Sequence, residues 1–206
     1  MYRSPRLYRL SLNMFHGRKK NSVFLGVAEK VGKGKSVLDV GCGPAVLGEY
    51  VDPSCEYRGM DMNPDFVKFS QEKGFDVRLG NGFEDSSYTD ADVVTVCNVL
   101  HHLEPEKVDD FLGTAYKHAG EKLIVAENYA VGNKKLGPFK KVFGFFYDMI
   151  DRDGVSDGHF DHVPTKEQLL EYAQKGFGAV PSDVQREISE NGRNVTVVYH
   201  KKPVAS

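Results

Sequence analysis

Apolar residues come in short runs interrupted by glycine and polar clusters, and their spacing alternates between two periods. Residues 36–40, 57–64, 75–79, 91–97 and 122–127 hold β-branched and other apolar side chains over strand-length windows, the second closing on the acid Asp61. Between them the period lengthens. Leu47, Tyr50 and Val51 begin a helical pattern behind Ala45, Pro64 stands where a first helical turn starts, and residues 106–118 read as a helix behind Glu104-Pro105. Strands alternating with helices predict βαβ units and a parallel sheet buried on both faces.

The flanks follow the same logic. Residues 5–20 place Leu7, Tyr8, Leu10, Met14 and Phe15 on a rough apolar face behind Ser4 as N-cap, and a second helix over 21–31 leads into the first strand. Thr165 and Gln168 form a capping box for a helix through Ala173, after which 178–187 and 193–201 read as two closing strands. The expected fold is α/β: a Rossmann-like three-layer sandwich, with a seven-stranded, mostly parallel sheet, an antiparallel C-terminal strand and helices on both faces.

The first strand stops at Gly41-Cys42-Gly43-Pro44-Ala45. Two glycines allow φ > 0 and leave no Cβ between backbone and ligand, and amides at the following helix start are expected to face that ligand. Dinucleotide enzymes use this device with a third glycine, whose place Val46 takes here; a lone Gly-x-Gly is also an ordinary strand-to-helix turn. Asp61 stands where an open α/β sheet puts a carboxylate that accepts from ribose hydroxyls. Its other use would be as a helix N-cap, for which Asn63, directly before Pro64, is better placed.

Composition narrows the class. The 206 residues suit one domain, with 40% hydrophobic and 27% charged residues, and a net charge of −2 supplies no basic field for nucleic acid. Cys42, Cys55 and Cys97 form no Cys-x-x-Cys pair and read as reduced thiols of a cytoplasmic protein. No run approaches a transmembrane span and no signal-peptide core opens the chain. Arg3, Arg6, Arg9, Arg18, Lys19 and Lys20 make the first stretch basic, either a solvated helix face or a transient contact with a membrane surface or an anionic substrate. A monomer or a homodimer satisfies this reading.

Val37 to Ala45 resembles the first motif of class I S-adenosylmethionine-dependent methyltransferases of the small-molecule type: an apolar pair, Asp, apolar, then Gly-x-Gly-x-Gly, with Ala45 replacing the last glycine. The resemblance implies that Asp39, Gly41 and Gly43 hold the methionine end of the cofactor, Asp61 its ribose and Met62 its adenine. In this family an acid usually reads the adenine amino group where Asn81 stands, and Gly82 and Phe83 cover the ring. An Asn amide can make that contact too, and Asn81-Gly82 can equally be a plain turn.

The segment Asn98-Val99-Leu100-His101-His102-Leu103 is nearly identical to one in many small-molecule methyltransferases. By that resemblance Asn98 lies beside the cofactor's amino acid part and His101 and His102 near the acceptor, where a neutral imidazole can serve as base. Each histidine can also simply pack or cap. Ubiquinone-type O-methyltransferases carry Glu-x-x-Glu-His here and bind a divalent cation; lacking those carboxylates, this chain is expected to bind no metal.

Residues 128–164 are too long for an ordinary connection, and Phe139, Phe143, Phe146, Tyr147 and Ile150 share one helical face, either a lid over the crevice suited to an aromatic or lipid-like acceptor or edge core. Lys134, Lys135, Lys140 and Lys141 add a basic patch, and His159 and His162 are further candidate substrate contacts. The chain thus divides into N-terminal helices (1–35), a cofactor-binding core (36–127), an insertion (128–164) and a C-terminal helix with closing strands (165–206). The expected activity is methyl transfer from S-adenosylmethionine, leaving S-adenosylhomocysteine, to a small-molecule acceptor of aromatic, quinone-like or lipid-like kind. A nicotinamide-dependent oxidoreductase and a non-catalytic S-adenosylmethionine-binding protein are the alternatives.

Overall fold

A computed structural model of the chain describes residues 23–129, 164–175, 180–191 and 194–201. The basic N-terminal stretch, the aromatic face of 139–150 and both His159 and His162 lie outside the described residues. Among the described residues seven strands form one sheet: β1 (Ser36–Val40), β2 (Glu56–Asp61), β3 (Asp76–Leu79), β4 (Ala91–Cys97), β5 (Ala119–Asn128), β6 (Gln185–Asn191) and β7 (Asn194–His200). Their order is β3-β2-β1-β4-β5-β7-β6, with β7 running antiparallel to both β5 and β6. This is the expected architecture.

Alternation along the central strands builds two apolar layers. Leu38, Val40, Val94, Val96, Leu123 and Val125 pack on one face against Phe111, Leu112 and Ala115 of α3 (Val108–His118) and Leu169 and Ala173 of α4 (Lys166–Lys175). Val37, Val93, Ile124 and Ala126 meet Val23, Val27 and Val31 of α1 (residues 23–31) on the other. The spacing of those three valines puts them on one helical stripe. Helix α2 (Pro64–Glu72) packs Val67 against Val77, Cys42 and Ala45, and Asn63 caps it by accepting from Asp65 N at 2.9 Å. The capping box before α4 forms as expected: Thr165 N donates to Gln168 Oε1 at 2.9 Å and Gln168 N to Thr165 Oγ1 at 3.2 Å.

Three boundaries differ from expectation. Behind Ala45 there is only a 3-10 turn, Leu47–Glu49. Gly48 weakens a helix there, a Cβ on it would lie 2.8 Å from both Tyr57 and Phe75, and Pro53 closes the segment soon after. Strand β5 begins earlier than the apolar run, because an irregularity between Ala91 and Val93 lets Ala119 pair with Ala91. The first closing strand starts only at Gln185, since Pro181 has no N–H to donate and Val184 N turns back to its carbonyl at 3.2 Å.

The β1 turn has a left-handed backbone at Gly41 (φ 68°) and at Ala45 (φ 54°), the latter where the motif carries glycine. A Cβ on Gly41 would lie 2.7 Å from Val99 Cγ2, whereas one on Gly43 (φ 53°) would meet nothing within 4 Å. Gly41→Ala should therefore lower unfolding free energy by about 2–4 kcal/mol, backbone strain adding to overpacking, and Gly43→Ala by about 1–2 kcal/mol from strain alone. Urea titration of the two variants checks this; equal losses would mean that Val99 moves aside freely.

Candidate functional site

The C-terminal ends of β1, β2 and β4 converge where the strand order reverses, the place where open α/β sheets leave a crevice. A cavity of about 280 Å³ occupies it. All nine residues expected to hold a cofactor (Asp39, Gly41, Gly43, Asp61, Met62, Asn81, Gly82, Phe83 and Asn98) line this cavity, as does His102. His101 does not; its ring is turned to Glu127.

The amides of the glycine turn do not face the cavity as expected. Gly41 N and Cys42 N both donate to Met60 O (2.8 and 3.1 Å), Ala45 N donates to Cys42 O (3.0 Å), and Gly43 N donates to Asp61 Oδ2 (2.8 Å). With no α-helix behind the turn, these donors have closer partners within the fold. Asp61 also accepts from Asn63 N through Oδ1 (2.8 Å).

Asp39, only 2% exposed, accepts from Thr95 Oγ1 (2.7 Å) through one oxygen and from Tyr57 OH (2.8 Å) through the other. Burial outweighs those hydroxyls, with Asp61 adding repulsion, so the carboxyl is pushed up to about 6. Burial likewise pushes up the thiols of Cys42 and Cys97 on the wall, leaving them protonated and poorly nucleophilic.

Met62 and Phe83 also line the cavity and are 51% and 40% exposed, two large apolar groups at its surface. A Cβ on Gly82 would lie 2.3 Å from Phe111, so the loop can lie against α3 only with glycine there. Tyr88 OH donates to Gly82 O (2.7 Å) and Phe83 meets Phe111 edge-on at 5.3 Å. The Asn81 amide closes its own turn: Oδ1 accepts from Phe83 N (3.1 Å) and Nδ2 donates to Glu84 Oε1 (3.0 Å). Asn81 is thus the Asn-Gly turn as well as part of the wall.

Asn98 directly follows β4 with φ 56°, donating its N–H to Ala126 O (2.8 Å) and accepting from Asn128 Nδ2 at Oδ1. Beyond it Glu127, 1% exposed at the end of β5, gathers three donors: Leu100 N on Oε2 (2.8 Å), and Asn128 N (2.9 Å) and His101 Nδ1 (2.8 Å) on Oε1. Burial alone would raise this carboxyl, but the His101 imidazole and the two amides hold it below the usual carboxylate value. An ionised Glu127 accepts, so His101 Nδ1 carries the shared proton. The two imidazoles lie 4.0 Å apart, centroid to centroid.

The sequence reading missed Glu127, Tyr57, Thr95 and Phe24, which comes from α1 to the cavity wall. Glu127 had a signal, an acid closing an apolar strand as Asp61 does. Tyr57 and Thr95 had none, because only register sets Thr95 opposite Asp39 and puts Tyr57 on the adjoining strand.

Residues 38–122 match the family described as a methyltransferase domain. Over those residues the chain is similar to methyltransferase domains. Trans-aconitate 2-methyltransferase of Mycobacterium tuberculosis is 32% identical over 95 residues, 44% of this chain and 36% of that protein. The chain thus spans about a third of the length of the curated relatives it matches. The likeness in fold extends further. A SAM-dependent methyltransferase from Archaeoglobus fulgidus matches with a TM-score of 0.62 at 18% identity, over 94% of this chain and 99% of its own. Human N-acetylserotonin methyltransferase, solved in complex with SAM, also matches at 0.62, with 16% identity, over 98% of this chain and 58% of its own.

Asp39 makes stability depend on pH in a definite direction. With its folded value raised to about 6, it contributes stability while protonated, and that contribution is lost as pH rises from about 4 through 6. Relative to Asp39→Asn, the wild-type protein should lose about 2–3 kcal/mol of unfolding free energy across that window. Parallel curves for the two proteins in chemical unfolding at stepped pH would refute it.

Proposed function

We propose that this chain binds S-adenosylmethionine and transfers its methyl group to a small-molecule acceptor of aromatic, quinone-like or lipid-like character. The observation that carries the reading is the hydrogen bonding of the β1 turn. Its amides at Gly41, Cys42, Gly43 and Ala45 are already taken, while the carboxyls of Asp39 and Asp61 stand on the cavity wall. A dinucleotide pyrophosphate would meet acids there and no amide donor from those four residues. A ligand with a cationic amino acid end and a ribose suits the same groups, and the exposed apolar side chains of Met62 and Phe83 on the cavity wall suit a purine.

In this reading Asp39 is the counter-charge for the amino acid end, Asp61 accepts from ribose hydroxyls, and Met62, Gly82 and Phe83 flank the base. Gly41 and Gly43 keep the turn clear of side chain, Asn81 walls the base, and Asn98 stands at the amino acid end. The bound cofactor supplies an activated methyl group whose leaving group departs as a neutral thioether. The protein then has to orient the acceptor and, for a phenol or thiol, remove its proton. His102 on the wall is the base. His101, its Nδ1 tied to Glu127, holds that segment in place and sets a second imidazole beside it. Phe24, Val99, Leu103 and Phe111 make the wall apolar, and among the described lining residues there is no Lys or Arg to pair a polyanion. That favours an uncharged acceptor over a tricarboxylate of the kind named for the mycobacterial relatives. A cytoplasmic setting belongs to the same proposal: the three cysteines are free, and no described helix is long and apolar enough to cross a membrane.

Thermal unfolding with S-adenosylmethionine, S-adenosylhomocysteine, NAD⁺ and NADPH tests the cofactor. Either sulfur nucleotide at 100 times its Kd should stabilise by about 2.7 kcal/mol, several degrees for a domain of this size, and the shift should vanish in Asp61→Ala. A shift with nicotinamide nucleotides alone would overturn the reading. With a phenol or quinol acceptor, His102→Gln should lower kcat by about 10²–10⁴-fold while S-adenosylhomocysteine still binds. Turnover of trans-aconitate indifferent to that substitution would assign an acceptor that is already ionised.

A further inference from the structure

The N-terminus of α2 borders the cavity with its backbone donors already used. Pro64 has no N–H, Asp65 N donates to Asn63 Oδ1 at 2.9 Å, and Phe66 N and Val67 N donate to Asn63 O at 3.1 Å each. One donor is left over. Asn63 is only 7% exposed, lines the cavity, and its buried Nδ2 has no hydrogen-bond partner among the described residues. Its orientation is set by the cap, since a flipped amide would put NH₂ against Asp65 N–H. Ser or Asp would cap α2 equally well without a stranded donor, and a buried donor left unpaired costs about 1–3 kcal/mol. The cap accounts for Oδ1 and not for Nδ2.

Asn63 N donates to Asp61 Oδ1 at 2.8 Å, and both residues line the cavity. A ribose hydroxyl that donates to a carboxylate keeps lone pairs able to accept. We propose that Asn63 Nδ2 is a ligand donor, hydrogen-bonded to the oxygen of a ribose hydroxyl that itself donates to Asp61, so that the pair reads that hydroxyl as donor and acceptor at once. This rests on the S-adenosyl reading of the cavity. It gives Asn63 a binding role separable from its cap, because Asn63→Ser and Asn63→Asp both preserve the cap and remove the NH₂.

Calorimetric titration of S-adenosylhomocysteine into the wild-type protein and both variants tests it, alongside melting of the free proteins and ¹⁵N spectra of the Asn63 side chain. Asn63→Ser should bind about tenfold more weakly with the melting point of the free protein unchanged or raised. Asn63→Asp, which sets a second carboxylate toward the ribose, should bind more weakly still. The wild-type Asn63 side-chain amide protons should move downfield on binding. Variant affinities within twofold of wild type would overturn the assignment. So would Asn63 amide signals that ligand does not move, as when the NH₂ holds only a water molecule. Wild-type protein that binds neither S-adenosylhomocysteine nor S-adenosylmethionine would instead remove the reading beneath, and the assignment with it.

Discussion

The carboxylate of Asp61 is the joint on which the site hangs. Through one oxygen it holds the Gly43 amide of the β1 turn and through the other the Asn63 amide that opens α2, while the preceding carbonyl, Met60 O, takes the Gly41 and Cys42 amides. Two connections that leave adjacent parallel strands are thereby tied to one strand end. The left-handed residues of the turn, Ala45 included, persist because so many bonds over-determine it. The tie also decides the chemistry: once the turn's amides point into the fold, what remains at the wall is negative, and the site suits cationic and hydroxylic ligand groups over phosphate.

Two buried carboxylates near the ends of β1 and β5, with β4 between them, show how donor number and kind set charge. Asp39 has two hydroxyl donors and lies near Asp61, and burial pushes it up to about 6. Glu127 has two backbone amides and an imidazole, and these hold it below its usual value despite comparable burial. The first can exchange its proton near neutrality when a cation arrives; the second stays ionised and acts as a fixed anchor for the segment between Asn98 and His102.

The remaining wall is held from behind by α3. Phe111 sets the distance to the loop at Gly82, Tyr88 pins that loop through Gly82 O, and His118, stacked on Tyr88, reaches Asp85 and Asp90 at 3.0 and 2.7 Å. A connection that would otherwise move independently is therefore tied to the central sheet through the α3 core.

Much was legible from the chain alone, because it depends on local pattern. The order of strands and helices, the strand ends at Asp39, Asp61 and Asn98, the cap at Asn63 and the capping box at Thr165 follow from period, β-branching and capping chemistry, which act over a few residues. The convergence of those strand ends on one crevice follows from parallel βαβ connectivity. Tertiary structure decided what depends on register and competition. It shortened the helix behind the β1 turn to a 3-10 turn, because Gly48 had to clear Tyr57 and Phe75. It turned the glycine-loop amides inward, because Met60 O and Asp61 were nearer partners than any ligand. It separated two adjacent histidines, sending His101 to Glu127 and leaving His102 at the cavity, since a buried carboxylate one strand away captures whichever imidazole reaches it. Hydrogen bonds between distant strand ends carry no periodic signal, so no pattern along the chain could have announced them.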